Sequence, residues 1–386
     1  MKNAWISASV CAFCCGLSFQ LAAQNDDPEL EHECTSWMVF SDLTKNNTHI
    51  LHKNRDSKYR NIGAYLSPAN AKRKWVALGN NVSSNLAIDG SANMAMNTSG
   101  LAGVMNSGEK CIHQSGDQTK KSTPAIMRAI IESCDTAAQA VEKLRELIKS
   151  GDYSHGDKGS IFIFCDLKEG YVCEITAKEL SIVRYDKGYT LRANIWINPG
   201  MQQLARNTYK AYLNSANRMY MTMSGLNEAL DKKGRIDLQD IFSTSRRHQM
   251  PDDAADKRSV CYKNTNSAAS LELDLQHPDV LSTAYFTIGH PLHTVYVPVP
   301  VCAEKLHPAM GDLSWSKKAF ERLDKVGLQN IPKEWAKFEC DNMKKYAAAQ
   351  AQARQLIKNN KRAEAVKLLN TTAEKIWMDA AKLLQL

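Results

Sequence analysis

A chain of 386 residues, 44% hydrophobic and 23% charged, holds enough apolar material for one large domain or a domain with an appendage. It contains no repeat of fixed period and no low-complexity block, which excludes solenoid and disordered classes. The formal charge of +8 is basic, but the Lys residues scatter and no RNA-binding motif accompanies them, so the expectation is a solvated basic surface and no nucleic-acid partner.

Residues 1–23 have the pattern of a secretory signal: Lys2, a largely apolar uncharged run from Ala4 to Leu21, then the small pair Ala22-Ala23. The run is too short and too poorly flanked for a membrane span, and no other stretch is long and apolar enough. The expected location is therefore periplasmic or secreted, with no integral membrane segment once the signal is removed. Residues 24–33 are polar, acidic and without periodicity, and read as a propeptide or leader. Residues 1–33 carry one Lys and five acidic residues, so 48 Lys and Arg against 36 Asp and Glu remain after them, a formal +12 that steers acidic ligands. Eight of the eleven cysteines lie beyond the signal, and no two of those eight form a CxxC pair, so no zinc ribbon or thioredoxin-type site is expected and disulfide pairing stays open.

The chain is organised around Glu33-Cys34-Thr35-Ser36-Trp37-Met38-Val39-Phe40-Ser41 and, after a turn, Thr48 to Asp56. Two antiparallel strands, Thr35 to Ser41 and Thr48 to Lys53, deliver Asn54-Arg55-Asp56 beside Cys34. If cleavage makes Cys34 the first residue, it carries both a thiol, pKa near 8.5, and an α-amine, pKa roughly 7.7–8.0. The thiolate is the nucleophile and the amine a base tuned close to neutral pH. Asp56 can orient the ammonium, and Arg55 can favour the thiolate by Coulomb attraction. The alternative is a buried structural cysteine in an apolar strand.

Cys34-Thr35-Ser36, with an Arg/Asn/Asp cluster about twenty residues on, resembles the N-terminal-nucleophile hydrolases. The likeness is to the branch of acyl-coenzyme A:6-aminopenicillanic-acid acyltransferase, choloylglycine hydrolase, penicillin V acylase and related dipeptidases. The order Asn54-Arg55-Asp56 departs from the Arg-Asn-x-Asp of the bile-salt hydrolases. The resemblance implies an α+β fold: a four-layer αββα sandwich of two antiparallel sheets, spanning residues 34–307 here, with 308–386 as a C-terminal helical extension.

Beyond Lys74 to Leu78, a short strand, residues 92–108 read as a hairpin around Asn97-Thr98-Ser99-Gly100. By the resemblance, Asn106 at its end helps form the oxyanion hole. Helices follow over Thr123 to Ser133 and Thr136 to Ile148. Strands at Ser160–Asp166, Tyr171–Thr176, Leu180–Tyr185 and Tyr189–Ala193 form an antiparallel meander. It ends at Asn194, which by the resemblance positions substrate or oxyanion. Two helices are read at Ala205–Leu213 and Ala216–Leu230. Between them Asn214 to Arg218 resembles a Ser-x-x-Arg helix start whose Arg pairs with the catalytic Asp, here Arg218 with Asp56; Arg246-Arg247 is the other source of such an Arg. Further strands are read at Arg258–Lys263, Ser267–Leu273 and Ser282–Ile288. His290 and His293 flank Pro291 without a paired carboxylate, so no metal is assigned, and no cofactor. The tail ends in two amphipathic helices, Asn342–Ile357 and Arg362–Leu386.

The reading is an exported cysteine hydrolase that cleaves a linear amide bond or transfers its acyl group, on a small-molecule amide or N-acyl substrate. The site comprises Cys34, Arg55, Asp56, Asn106, Asn194 and Arg218. A dipeptidase on the same scaffold and a non-catalytic exported binding protein are the alternatives. The sequence leaves a homo-oligomer open.

Overall fold

The computed structural model describes residues 33–80, 92–115, 117, 119–206, 208–248 and 259–386. The signal and all but the last residue of the leader lie outside them. Strands β1 (Cys34–Val39) and β2 (His49–Asp56) form the middle of a six-stranded antiparallel sheet. With β10 (Tyr189–Arg192), β11 (Thr265–Leu273), β12 (Thr283–Ile288) and β13 (Val297–Pro300), its order is β10-β1-β2-β11-β12-β13. The second sheet runs in chain order through seven strands: β3 (Ile62–Leu66), β4 (Trp75–Asn80), β5 (Met94–Asn97), β6 (Ala102–Ser115), β7 (Gly156–Cys165), β8 (Gly170–Ile175) and β9 (Leu180–Tyr185).

The sheets face each other through alternate residues of buried strands, among them Met38, Leu51, Val104 and Ile163. On the far side of the seven-stranded sheet lie α1 (Thr123–Ser133) and α2 (Ala137–Ser150). Their Ile126, Ile130 and Leu144 stripe packs on Phe162, Phe164 and Cys173. The far side of the six-stranded sheet is covered by α3 (Tyr209–Lys233), α4 (Leu238–Ser245), α5 (Ser314–Val326), α6 (Lys333–Lys358) and α7 (Arg362–Leu384). The layers are therefore helix, sheet, sheet, helix, the expected α+β sandwich.

The C-terminal helices are joined to the sheet by polar contacts as well as by packing. Glu339 of α6 is buried against Arg246, with oxygen–nitrogen distances of 2.6 and 2.7 Å, and accepts from the Tyr296 N–H at 2.6 Å. Trp377 of α7 donates its indole N–H to the Pro298 carbonyl at 2.7 Å.

Four elements differ from the sequence expectation. The two helices read around Asn214 are one continuous α3, because Asn214 and Ser215 turn their side chains to Arg218 and cap nothing. Residues 259–263 are bends and turn, not a strand; the strand begins at Thr265. The short β3 and β13 were not anticipated. The first contains Gly63, and the second alternates Val with Pro, which reads as a breaker.

Candidate active site

In the β1–β2 ladder Cys34 stands opposite Arg55, Thr35 opposite Asn54 and Ser36 opposite Lys53. Because side chains alternate along a strand, Cys34, Ser36, Lys53 and Arg55 face the second sheet, whereas Thr35, Asn54 and Asp56 face the helices. The two faces do different work.

On the inner face, Lys53 is fully buried. It donates to the Met105 carbonyl and to Asn106 Oδ1 at 2.9 Å. Burial pushes its pKa down, and the Cys34 sulfur opposes that shift. Asn106 also accepts from Ser36 Oγ at 2.7 Å and spends its own amide on the Arg192 and Ala193 carbonyls, at 3.4 and 3.0 Å. Asn106 therefore has no free donor for an oxyanion. It fixes Lys53 and ties β6 to the end of β10.

On the outer face, Arg218 projects from the middle of α3 with no exposed surface. Its Nε donates to Asn214 Oδ1 at 3.1 Å. One terminal nitrogen donates to the Cys34 carbonyl at 2.6 Å and to Thr35 Oγ1 at 2.9 Å; the other to Asn194 Oδ1 at 2.8 Å and Ser215 Oγ at 3.3 Å. All five donors are thus used. Two carboxylates flank the guanidinium, Asp56 at 4.0 Å and Glu33 at 3.7 Å. Asp56 Oδ1 accepts from Thr265 Oγ1 at 2.6 Å, while its buried Oδ2 has no hydrogen bond among the described residues. Burial pushes the Asp56 carboxyl up to about 7, against the pull of Arg218.

The main chain at Cys34 is held from both sides. Its N–H donates to Asn194 Oδ1 at 2.8 Å, and the carbonyl of Glu33 accepts from the Asp56 N–H at 2.8 Å. Asn194 gives its amide to the Ser107 carbonyl at 2.8 Å. The segment that carries Asn194 is anchored by a buried Arg192–Glu174 pair, 3.1 Å apart, and by the Trp196 N–H on Glu109 Oε2 at 2.7 Å.

Cys34, Asp56, Asn106, Asn194 and Arg218 are thus connected through one hydrogen-bonded and ionic network centred on the Glu33–Cys34 peptide. Arg55 lies across the ladder from Cys34 but is bonded to Asn80 Oδ1 at 2.8 Å. The other Arg candidates lie elsewhere: Arg246 binds Glu339, and Arg247 binds Glu228. His290 is likewise spent, with its Nε2 on the Tyr262 carbonyl and its Nδ1 on the Leu292 N–H. Among the described residues no group of three His, Cys, Asp or Glu is placed to hold a metal.

Sequence reading missed Lys53, Thr265 and the buried Glu33. The signal for Lys53 was present. Lys53-Asn54-Arg55-Asp56 is the Arg-Asn-x-Asp spacing with Lys in the first position, and period two puts Lys53 on the Cys34 face.

Comparison with known proteins gives a family match over residues 87–255, to "Acyl-coenzyme A:6-aminopenicillanic acid acyl-transferase". That segment contains Asn106, Asn194 and Arg218. No curated protein matches the chain. Among solved structures, a variant of the conjugated bile acid hydrolase from Clostridium perfringens is 12% identical with a TM-score of 0.46, covering 69% of this chain and 92% of its own. Penicillin V acylase from Agrobacterium tumefaciens is 13% identical with a TM-score of 0.45, covering 69% and 86%. The sequence match thus makes residues 87–255 similar to the acyl-coenzyme A:6-aminopenicillanic acid acyl-transferase family.

Proposed function

We propose that the protein is an exported cysteine hydrolase or acyltransferase acting on a linear amide bond, with Cys34 as its N-terminal nucleophile once residues 1–33 are removed. The observation that carries this reading is the clamp on the Glu33–Cys34 peptide: nitrogen on Asn194, carbonyl on the Asp56 N–H, with the buried Lys53 across the ladder on the Cys34 face. A buried structural cysteine needs none of these partners. The signal pattern of residues 1–23 supports export to the periplasm or the medium.

The chemistry follows from the groups present. Cleavage frees an α-amine on Cys34, placed where Asn194 Oδ1 already accepts from its nitrogen and close to the Asp56–Arg218 pair. The amine takes the thiol proton as Sγ attacks the substrate carbonyl carbon. Lys53, buried against the sulfur, favours the anionic thiolate. The tetrahedral intermediate collapses as its C–N bond breaks, and the α-ammonium returns the proton to the leaving amine. A thioester remains on Cys34. Water hydrolyses it, or a second amine takes the acyl group. Asp56 holds the α-ammonium in register, and Arg218 holds the Cys34 carbonyl and Asn194 in place.

The test is intact-mass measurement of wild type and Cys34→Ser, with amide cleavage assayed on both against dipeptides, N-acyl amino acids and penicillin V. The expected result is a wild-type chain that begins at Cys34 and cleaves one substrate class, and a Ser variant that is processed slowly or not at all and is at least about a hundredfold less active. An active wild-type chain still carrying Glu33 sinks the processing model.

A further inference from the structure

Lys53 and Arg55 are the two cations on the inner face beside Cys34, and they are used very differently. Lys53 has no exposed surface and gives its ammonium to the Met105 carbonyl and Asn106 Oδ1. Arg55 is 8% exposed, and among the described residues its only side-chain hydrogen bond is to the neutral Asn80. No carboxylate lies within ion-pair distance of it there; Asp56 acts on it only through space, from the opposite face of the strand. A guanidinium has five donors in a planar fork. Removing such a cation from water without an anion is costly, so a structure that does so has a reason for keeping it. Stabilising the thiolate is not a sufficient reason, because the Lys53 charge already acts on the sulfur. The Tyr59 and Tyr65 phenols are the other polar groups near Arg55, and Tyr65 donates to the Asn80 carbonyl at 2.7 Å. That bond and the Arg55 bond together fix Asn80, and so hold the fork in place.

We infer that Arg55 is the receptor for a carboxylate on the substrate, so the amide that Cys34 attacks bears an anionic group within a guanidinium's reach of its scissile carbonyl. This rests on Cys34 being the nucleophile. It makes Arg55 a specificity-determining residue, with the fork free to take both carboxylate oxygens. The basic surface of the mature chain steers such substrates inward.

The reactivity of Cys34 tests the inference without knowledge of the substrate. Wild type, Arg55→Gln and Arg55→Lys are alkylated with iodoacetate or iodoacetamide, and the Cys34 peptide is quantified by mass spectrometry apart from the other seven cysteines. The two reagents differ only in carrying a carboxylate or a carboxamide next to the reactive carbon. The expected iodoacetate-to-iodoacetamide rate ratio falls at least about tenfold in Arg55→Gln, the lower end of what a charge-assisted hydrogen bond supplies, and is largely kept in Arg55→Lys. A role confined to the thiolate lowers both rates together and leaves the ratio unchanged, and that result overturns the inference. In wild type alone, butyrate is expected to slow iodoacetamide labelling of Cys34 more than butyramide does; equal protection also overturns it. Intact mass of the same samples reports independently whether residues 1–33 have been removed, so failure of the processing model is read separately.

Discussion

Arg218 and Asp56 lie 4.0 Å apart, and neither side chain has exposed surface. A guanidinium placed this way is the hub of the site, since it also holds the Cys34 carbonyl, Thr35 and Asn194. Replacing Arg218 with Met removes one partner of a buried pair and is expected to destabilise the fold by about 3–5 kcal/mol. Arg218→Lys keeps the charge but loses the fork, so the terminus drifts and kcat/KM is expected to fall about a hundredfold with a smaller loss of stability. Urea unfolding and steady-state kinetics on the two variants separate these effects.

Lys53 is expected to stabilise the fold through its two buried acceptors. In Lys53→Met the Met105 carbonyl and Asn106 Oδ1 lose a charged donor inside the sandwich, and the variant is expected to be destabilised by about 1–3 kcal/mol. Urea unfolding of the variant and wild type gives the difference; an unchanged midpoint shows that the ammonium contributes nothing to the fold.

Asp56 gives the unprocessed protein a pH signature of definite sign. Its carboxyl titrates near 3.8 when unfolded and is pushed up to about 7 by burial in the fold. Between those values the folded chain holds the extra proton, so this contribution to stability is complete below about 4 and is lost as pH rises through 7. Buried His52 and His290 act oppositely: burial lowers both to about 3, so their contribution is lost as pH falls below 6.5. Comparison of Cys34→Ser with Cys34→Ser/Asp56→Asn isolates the Asp56 part. Relative to the double variant, the single variant should lose stability from pH 4 to 7; a difference independent of pH removes the assignment.

The hairpin between β5 and β6 depends on Gly100, which has φ +86° and whose Cβ, were it present, would meet Leu167 at 2.6 Å. Gly100→Ala is expected to destabilise the protein by about 1–3 kcal/mol, from the strained backbone and the clash together. Chemical denaturation of the variant gives this value directly.

The architecture was legible where apolar periodicity carried it. The β1–β2 pair and the meander from β7 to β9 followed from strand patterns and hairpin turns; β10, read as the next strand of that meander, instead crosses to the other sheet and pairs with β1. Cys34, Asp56, Asn194 and Arg218 also came from the sequence, the last two through the family likeness. Lys53 was passed over because a charged residue inside a strand ordinarily points to solvent; here a second sheet covers that face and supplies the acceptors. The break assigned within α3 came from Asn214 and Ser215, residues that cap helices when exposed. Their hydrogen bonds go instead to a guanidinium one turn away, a partner that only the tertiary structure supplies. The same limit applies to Asn106. Its position near Cys34 could be anticipated, but the commitment of its amide to the Arg192 and Ala193 carbonyls could not.

The last strand of the six-stranded sheet has a consequence for assembly. Val297-Pro298-Val299-Pro300 pairs inward with β12, and the Pro298 carbonyl on its open side is taken by Trp377. Proline has no N–H to offer a newcomer, so that border lacks donors at two positions and has one acceptor already capped. A second molecule cannot extend the sheet there. Any self-association has to go through another surface, and the chain is spared one route to aggregation.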